Sequence, residues 1–211
     1  NGPPPTAYYV TGLVVAVFVM LGLVMVLSAS SIQQFHKGYS PWRIFNRQAV
    51  WAVLGTIALW VCAKVPYTFW RRLVVPGLIG ASALMMLPFV PGIGTEVNGA
   101  RAWVSLGSLS FQPSEFLKLA VLLYCADLLT RRESEMHDLR RTLAPTILVA
   151  ALGSGMCMLQ ADLGTAIVLG AIVFAVAFIG GTPLVPMLGA GAASTGAAMF
   201  FVFASQRRFN R

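Results

Sequence analysis

Residues 98–118 read Asn-Gly-Ala-Arg-Ala-Trp-Val-Ser-Leu-Gly-Ser-Leu-Ser-Phe-Gln-Pro-Ser-Glu-Phe-Leu-Lys, a polar segment between two long apolar runs. Its charged, aromatic and hydrogen-bonding side chains of interest are Arg101, Trp103, Gln112, Ser114, Glu115 and Lys118. Ionisable groups at membrane depth are costly and usually line cavities. A functional site is therefore expected in this segment.

The composition around this segment predicts a membrane protein. Hydrophobic residues make up 57% of the 211 residues and charged residues only 10%, with a mean hydropathy of +0.76. Soluble domains carry about a quarter charged residues. The charges cluster at residues 37–47, 64–72 and 131–141, and the runs between them are long enough to cross ~30 Å of hydrocarbon. The sequence predicts an all-α, polytopic transmembrane helical bundle, with residues 1–211 forming a single transmembrane domain.

Seven membrane spans are expected. They cover about Tyr8–Ser28, Gln48–Ala63, Leu73–Val90, Pro113–Leu129, Thr142–Leu159, Leu163–Ile179 and Leu184–Ser205. Before the fourth span, apolar residues alternate with small or polar ones around residues 107–108, which predicts a short β-hairpin. Pro113 is well placed to begin a helix, because proline suits the first helical turn.

The net charge of +8 comes from basic residues that flank the apolar spans and do not line one face. Such residues are typical of cations beside a membrane; an anionic ligand such as a lipid phosphate or a pyrophosphate is the alternative. No nucleic-acid partner is expected. With Arg101 and the C-terminal tail set aside, Lys and Arg concentrate at residues 64–72 and 131–141. The positive-inside rule then predicts a cytoplasmic N-terminus and an outward-facing loop around residue 101.

Several reaction classes lack their motifs. The three cysteines fall inside predicted spans as packing residues, and neither histidine has metal-ligand spacing, so no metal site is predicted. No Walker loop or nucleophile elbow is present, so ATP-driven transport and serine hydrolysis have no support in these residues.

The polar residues each have a structural alternative. Glu115 and Lys118 share a helix face, and their pair either stabilises the helix or lines a cavity. Asp162 either caps the sixth helix or forms part of a cavity beside Gln160 and Thr165.

Arg101 and Trp103 either anchor the chain at the interface or bind a pyrophosphate and its attached isoprenoid or sugar. Asp127 is expected to be structural.

Three motifs carry a family resemblance: Asn-Gly-Ala-Arg-Ala-Trp at 98–103, Gln-Pro-Ser-Glu-Phe-Leu-Lys at 112–118 and Gln-Ala-Asp-Leu-Gly-Thr at 160–165. In order and spacing the chain resembles the SEDS family (shape, elongation, division and sporulation) over essentially its whole length. Residues 27–31, Leu-Ser-Ala-Ser-Ser, look more like the division branch than the elongation branch. Ala161 stands where the family usually has proline.

The resemblance implies a bacterial peptidoglycan polymerase of about ten spans, of which seven are visible here. Such a protein transfers glycan between lipid II units (undecaprenyl-pyrophosphate-linked disaccharide-pentapeptide) during septal wall synthesis. It works in the cytoplasmic membrane with a class B penicillin-binding protein and other divisome membrane proteins. The alternatives are a lipid II flippase and a non-catalytic scaffold for the penicillin-binding protein.

The resemblance also implies which residues bind the substrate. Matching positions fall in the family's central cavity, and neighbours in the same motifs complete the predicted substrate-binding set: Arg101, Trp103, Gln112, Ser114, Glu115, Lys118, Asp162 and Thr165. The family's catalytic aspartate lies beyond Arg211, so the catalytic residue is unknown and residues 1–211 alone are expected to be inactive. No cofactor is evident, although a divalent cation could share the pyrophosphate charge.

Overall fold

The computed structural model describes residues 6–36, 40, 42–97, 99–106, 109–132 and 141–183, together with glycines 189, 191 and 196. The helices of its continuous segments are α1 (Thr6–His36), α2 (Trp42–Lys64), α3 (Tyr67–Leu84), α4 (Pro113–Arg131), α5 (Leu143–Leu159) and α6 (Leu163–Ile179). A 3₁₀ helix spans Leu87–Phe89, and the strands are β1 (Gly94–Val97), β2 (Ala100–Leu106) and β3 (Leu109–Phe111). The chain divides into two compact units, residues 1–66 and 67–211.

The first unit is a pair of apolar helices, α1 and α2, packed against each other. Their outer faces expose large side chains such as Leu13, Phe18 and Met25, a surface suited to hydrocarbon. Among the residues that the structure describes, three stretches are long and apolar enough to cross a membrane: Thr6–Ser30, Ile44–Lys64 and Tyr67–Phe89. These helices confirm the polytopic α-helical membrane class.

Several predicted helix boundaries were wrong. α1 continues past Ser28, α2 begins at Trp42 rather than Gln48, and α3 begins at Tyr67 rather than Leu73. Charged residues used to mark these ends, such as Arg47 and Arg71, lie inside helices, because the stems of Lys and Arg can lie along an apolar surface. The predicted seventh span, 184–205, lies outside the described residues apart from three helical glycines.

The second unit packs α3, α4, α5 and α6 around one core. Its centre includes Met85, Leu117, Val121 and Leu169, which are almost completely buried. α5 and α6 approach closely at Gly153, where an added Cβ would lie 2.7 Å from Cδ2 of Leu169. In lipid, close packing of this kind drives helix association, because water does not supply a hydrophobic force.

The predicted hairpin is confirmed, and the structure adds a strand. β2 and β3 pair antiparallel, with Val104 opposite Phe111 and Leu106 opposite Leu109. β1, which the sequence analysis missed, pairs with the other edge of β2. The resulting three-stranded sheet contacts the 3₁₀ helix and α4.

Two ends of the second unit can be distinguished by their contacts. At one end, called here the sheet end, the sheet meets the start of α4 and the junction between α5 and α6. At the other, called here the arginine end, Asp127 accepts 2.8 Å hydrogen bonds from Nε of both Arg71 and Arg131. The predicted structural role of Asp127 is consistent with these ion pairs, which join α3 to α4.

The α5–α6 junction is a defined turn. The Ala161 amide donates to Met158 O at 3.0 Å and the Asp162 amide to Cys157 O at 2.9 Å, the pattern of a Schellman motif. Ala161 occupies the left-handed position with φ 59°, where glycine is usual. Proline cannot adopt this φ, so this turn is compatible with Ala161 and not with the proline that the family resemblance implies at this position.

Candidate functional site

Asp162 joins the start of α6 to the start of α4. Its Oδ1 accepts a hydrogen bond from the Thr165 amide at 3.0 Å, which caps α6 as predicted. Its Oδ2 accepts from Thr165 Oγ1 at 2.6 Å and from Gln112 Nε2 at 2.8 Å. Three predicted site residues, from motifs far apart in sequence, are therefore in direct contact. Asp162 therefore caps α6 and also lies beside two other predicted site residues, Gln112 and Thr165.

Glu115 and Lys118 form the predicted pair on α4. Lys118 Nζ donates to Glu115 Oε1 at 2.9 Å, three residues apart in the first turns of the helix. The Glu115 side chain is exposed, and that of Lys118 is largely covered. An ammonium group has three donors, and Glu115 takes one, so Lys118 retains capacity to donate to an anion.

Arg101 and Trp103 lie on one face of β2. The strand alternates: Ala102 and Val104 are buried, while Arg101 is exposed and Trp103 is half-buried. Within the described residues, the Arg101 guanidinium makes no hydrogen bond or ion pair. Its backbone amide, in contrast, donates to Gln160 O at 2.9 Å. The strand is thus held at the α5–α6 junction while the cation of Arg101 is left for another partner.

Ser114 differs from the other candidates. It is completely buried in the first turn of α4, and its hydroxyl has no hydrogen-bond partner in the described part of the chain. A direct contact of this hydroxyl with a large substrate would require the first turn of α4 to move. Its predicted role in substrate binding stays a prediction.

Sequence reasoning did not include Gln160 among the site residues. Its side chain is buried, and Nε2 donates to Met85 O at 2.8 Å. The partner is a backbone carbonyl 75 residues earlier in the chain, which no local pattern could have indicated. Its position two residues before Asp162 was the available signal.

The described residues contain no group of three His, Cys, Asp or Glu side chains arranged to hold a metal ion. Asp162 and Glu115 are instead engaged by Gln112, Thr165 and Lys118. The absence of a cofactor stays a prediction. What the arrangement offers is one cation on β2 and one on α4, two elements in contact with each other, and a carboxylate that is hydrogen-bonded at the start of α4.

Comparison with known proteins identifies the family. The model FTSW_RODA_SPOVE, described as "Cell cycle protein", matches residues 9–211. The chain belongs to this family. This match confirms the resemblance to the SEDS family that the three motifs indicated.

Curated relatives in the FTSW_RODA_SPOVE family carry an enzyme name. A protein of Mycobacterium tuberculosis, 34% identical over 210 residues, is named "Probable peptidoglycan glycosyltransferase FtsW"; the match covers 100% of this chain and 40% of that protein. A protein of Halorhodospira halophila with the same name is 36% identical over 171 residues, covering 81% of this chain and 43% of the relative. The chain therefore spans less than half the length of these relatives. Their names agree with the resemblance to the division branch.

Solved structures in the comparison have the same architecture. The rod shape determining protein RodA of Thermus thermophilus is 33% identical with a TM-score of 0.58, over 82% of this chain and 58% of that one. A chain from a peptidoglycan synthase complex that coordinates polymerization and crosslinking is 31% identical with a TM-score of 0.64, over 88% of this chain and 55% of that one.

Proposed function

We propose that the full-length protein is a peptidoglycan glycosyltransferase that polymerises lipid II in the bacterial cytoplasmic membrane during septal wall synthesis. The enzyme names of its relatives support the reaction class. The observation that carries the proposal for this chain is the convergence of its three polar motifs at the sheet end, through the Gln112–Asp162 and Arg101–Gln160 hydrogen bonds.

The chemistry of the sheet end suits a pyrophosphate leaving group. Glycosyl transfer needs cations placed where negative charge develops on the departing phosphate. Among the described residues the Arg101 guanidinium has no partner, and a guanidinium can bind phosphate oxygens in a bidentate manner. Lys118 supplies a second cation, and Glu115 fixes its direction through the 2.9 Å contact.

The remaining predicted residues have supporting roles in this proposal. Asp162 uses its carboxylate to hold Gln112 and Thr165, so it shapes the site. Trp103 offers an aromatic surface for an isoprenoid or a sugar. The base that activates the acceptor hydroxyl is not assigned to any of these residues. A divalent cation would act on the substrate's pyrophosphate.

The orientation and the partners belong to the same proposal. In the second unit, the arginine end faces the cytoplasm and the sheet end faces outward, in line with the positive-inside rule. The partners are a class B penicillin-binding protein and other divisome membrane proteins. The neighbour from a complex that coordinates polymerization and crosslinking supports the first of these.

A flippase would need polar groups along the path between the two ends. On α4, the segment after Lys118 buries Ala120, Val121 and Cys125, and both oxygens of Asp127 are occupied by arginines. In the described part of the chain these contacts do not favour the passage of a polar headgroup. A scaffold without catalysis predicts that loss of the Glu115–Lys118 pair leaves glycan synthesis unchanged.

The test is polymerisation of labelled lipid II by the full-length protein with its penicillin-binding partner, whose transpeptidase is blocked. The variants are Lys118→Met and Glu115→Gln. Asp127→Asn is the matched control, because it also removes an ion-paired carboxylate from α4, at the opposite end. We expect glycan chains from wild type and Asp127→Asn and their loss from the other two, with all proteins folded. Undiminished synthesis by Lys118→Met and Glu115→Gln would contradict the proposal.

A further inference from the structure

Gln160 connects three segments that are far apart in sequence. Its side chain is 1% exposed, and Nε2 donates to the carbonyl of Met85, just after α3. Its own carbonyl accepts the Arg101 amide of β2 at 2.9 Å. Gln160 also ends α5, immediately before the turn that leads to Asp162. At the α5–α6 junction, one residue thus contacts the end of α3 through its side chain and β2 through its backbone carbonyl.

The amide group of Gln160 is held in one orientation. Because Nε2 faces the Met85 carbonyl, Oε1 points elsewhere; it is buried and has no partner among the described residues. A buried polar atom left without a partner costs about 1–3 kcal/mol. An apolar side chain of the same size would avoid this cost, but it would leave the Met85 carbonyl without this donor. Buried polar groups of this kind can specify one arrangement of the segments they join.

The arrangement that Gln160 fixes is that of the proposed phosphate site. The Arg101 guanidinium extends from the residue whose amide Gln160 binds. Asp162, two residues after Gln160, is bonded to Gln112 at the start of α4, the helix that carries Lys118. We propose that Gln160 is a positioning residue of the transfer reaction, which holds β2 at the junction so that Arg101 and Lys118 act on the same pyrophosphate. This inference rests on the proposed function.

The test uses the full-length protein with its penicillin-binding partner. Gln160→Met keeps the side-chain volume and the backbone carbonyl that accepts the Arg101 amide, but it removes the bond to Met85 that fixes the position of this carbonyl. Gln160→Asn keeps the amide group but shortens the side chain, so that it no longer reaches Met85. This variant replaces Gln160→Met in the test if Gln160→Met folds poorly. Thr146→Val is the matched control, because Thr146 is equally buried and its Oγ1 also donates to one carbonyl, that of Thr142, at 2.8 Å within α5.

Hydrogen exchange of residues 99–106 reports the position of β2 independently of activity. We expect Gln160→Met to accelerate exchange there and Thr146→Val to leave it unchanged. For lipid II polymerisation, kcat/KM should fall about 10–100-fold in Gln160→Met, the scale expected for a misplaced group, and stay near wild type in Thr146→Val.

A double-mutant cycle then separates positioning from general damage. If Gln160 acts through Arg101, the pair Gln160→Met/Arg101→Gln should be about as slow as Arg101→Gln alone. If the effects of Gln160→Met and Arg101→Gln on kcat/KM multiply in the double variant, the inference is overturned. Unchanged hydrogen exchange of β2 in Gln160→Met would also overturn it. A wild type that makes no glycan would overturn the proposed function instead, and the exchange rates would still decide whether Gln160 holds β2.

Discussion

Replacing Asp162 with alanine should destabilise the junction between α4 and α6, whereas replacing it with asparagine should not. Alanine removes an N-cap, which is worth about 0.5–2 kcal/mol. It also removes the hydrogen bond that Gln112 donates. A hydrogen bond to a charged group stabilises a protein by about 1.5–3 kcal/mol. Asp162 is only half-buried, so water can replace part of these hydrogen bonds in the alanine variant. We therefore expect the free energy of unfolding to fall by about 2–3 kcal/mol.

Asparagine retains most of these contacts. Its carbonyl can accept the Thr165 amide, as Oδ1 does now at 3.0 Å. The Thr165 hydroxyl can rotate, and the Gln112 amide can flip to present its oxygen to the new NH₂ group. The expected loss is below about 1 kcal/mol. Since every hydrogen bond of Asp162 described here is structural, Asp162→Asn should also keep most of the glycan synthesis.

The assay combines thermal unfolding of the purified full-length variants with lipid II polymerisation. Alanine should lower the melting temperature and the activity together, and asparagine should change neither greatly. Two results would refute the reasoning. An alanine variant as stable as wild type would show that the cap contributes little. A stable asparagine variant without activity would show that the negative charge itself takes part in the reaction.

Three further changes test the packing of the second unit by thermal unfolding. Gly94→Ala should destabilise the protein by about 1–3 kcal/mol or more, because the added Cβ would lie 1.8 Å from the Pro88 carbonyl oxygen. The control Gly77→Ala should be neutral or stabilising, because its added Cβ would have nothing within 4 Å. Equal effects of the two substitutions would contradict this contact. Ala161→Gly should stabilise by about 0.5–1 kcal/mol, because it relieves a left-handed alanine at φ 59°; a lower melting temperature would count against the turn. Asp127→Asn should lower the free energy of unfolding by about 1 kcal/mol or less, and by less still at high salt, because the arginine partners of Asp127 are exposed. A loss of stability that does not depend on salt would argue against the ion pairs.

Local sequence patterns predicted much of the fold and the nearest contacts. The apolar runs predicted the membrane helices, and the alternation around residues 107–108 predicted the β2–β3 hairpin. Spacing of three residues predicted the Glu115–Lys118 pair, and the position of Asp162 before Leu163 predicted its cap. Each of these depends on residues close together in the chain, where the geometry of a helix or hairpin determines which side chains meet.

Contacts between distant segments could not be predicted in this way. β1 is four residues long, its pairing with β2 shifts register between Thr95 and Val97, and it has no clear alternation. The bonds of Gln112 to Asp162 and of Gln160 to Met85 cross 50 and 75 residues. Motif resemblance placed the first pair in one site without giving the contact, and it gave no role to Gln160.

The most direct test of the central claim places full-length protein and its penicillin-binding partner in vesicles that contain labelled lipid II. Glycan polymer and movement of lipid II between leaflets are measured in the same sample. The account predicts polymer from wild type, with strong loss in Lys118→Met. Transfer of lipid II between leaflets without polymer would contradict it and would identify the sheet end as part of a transport path.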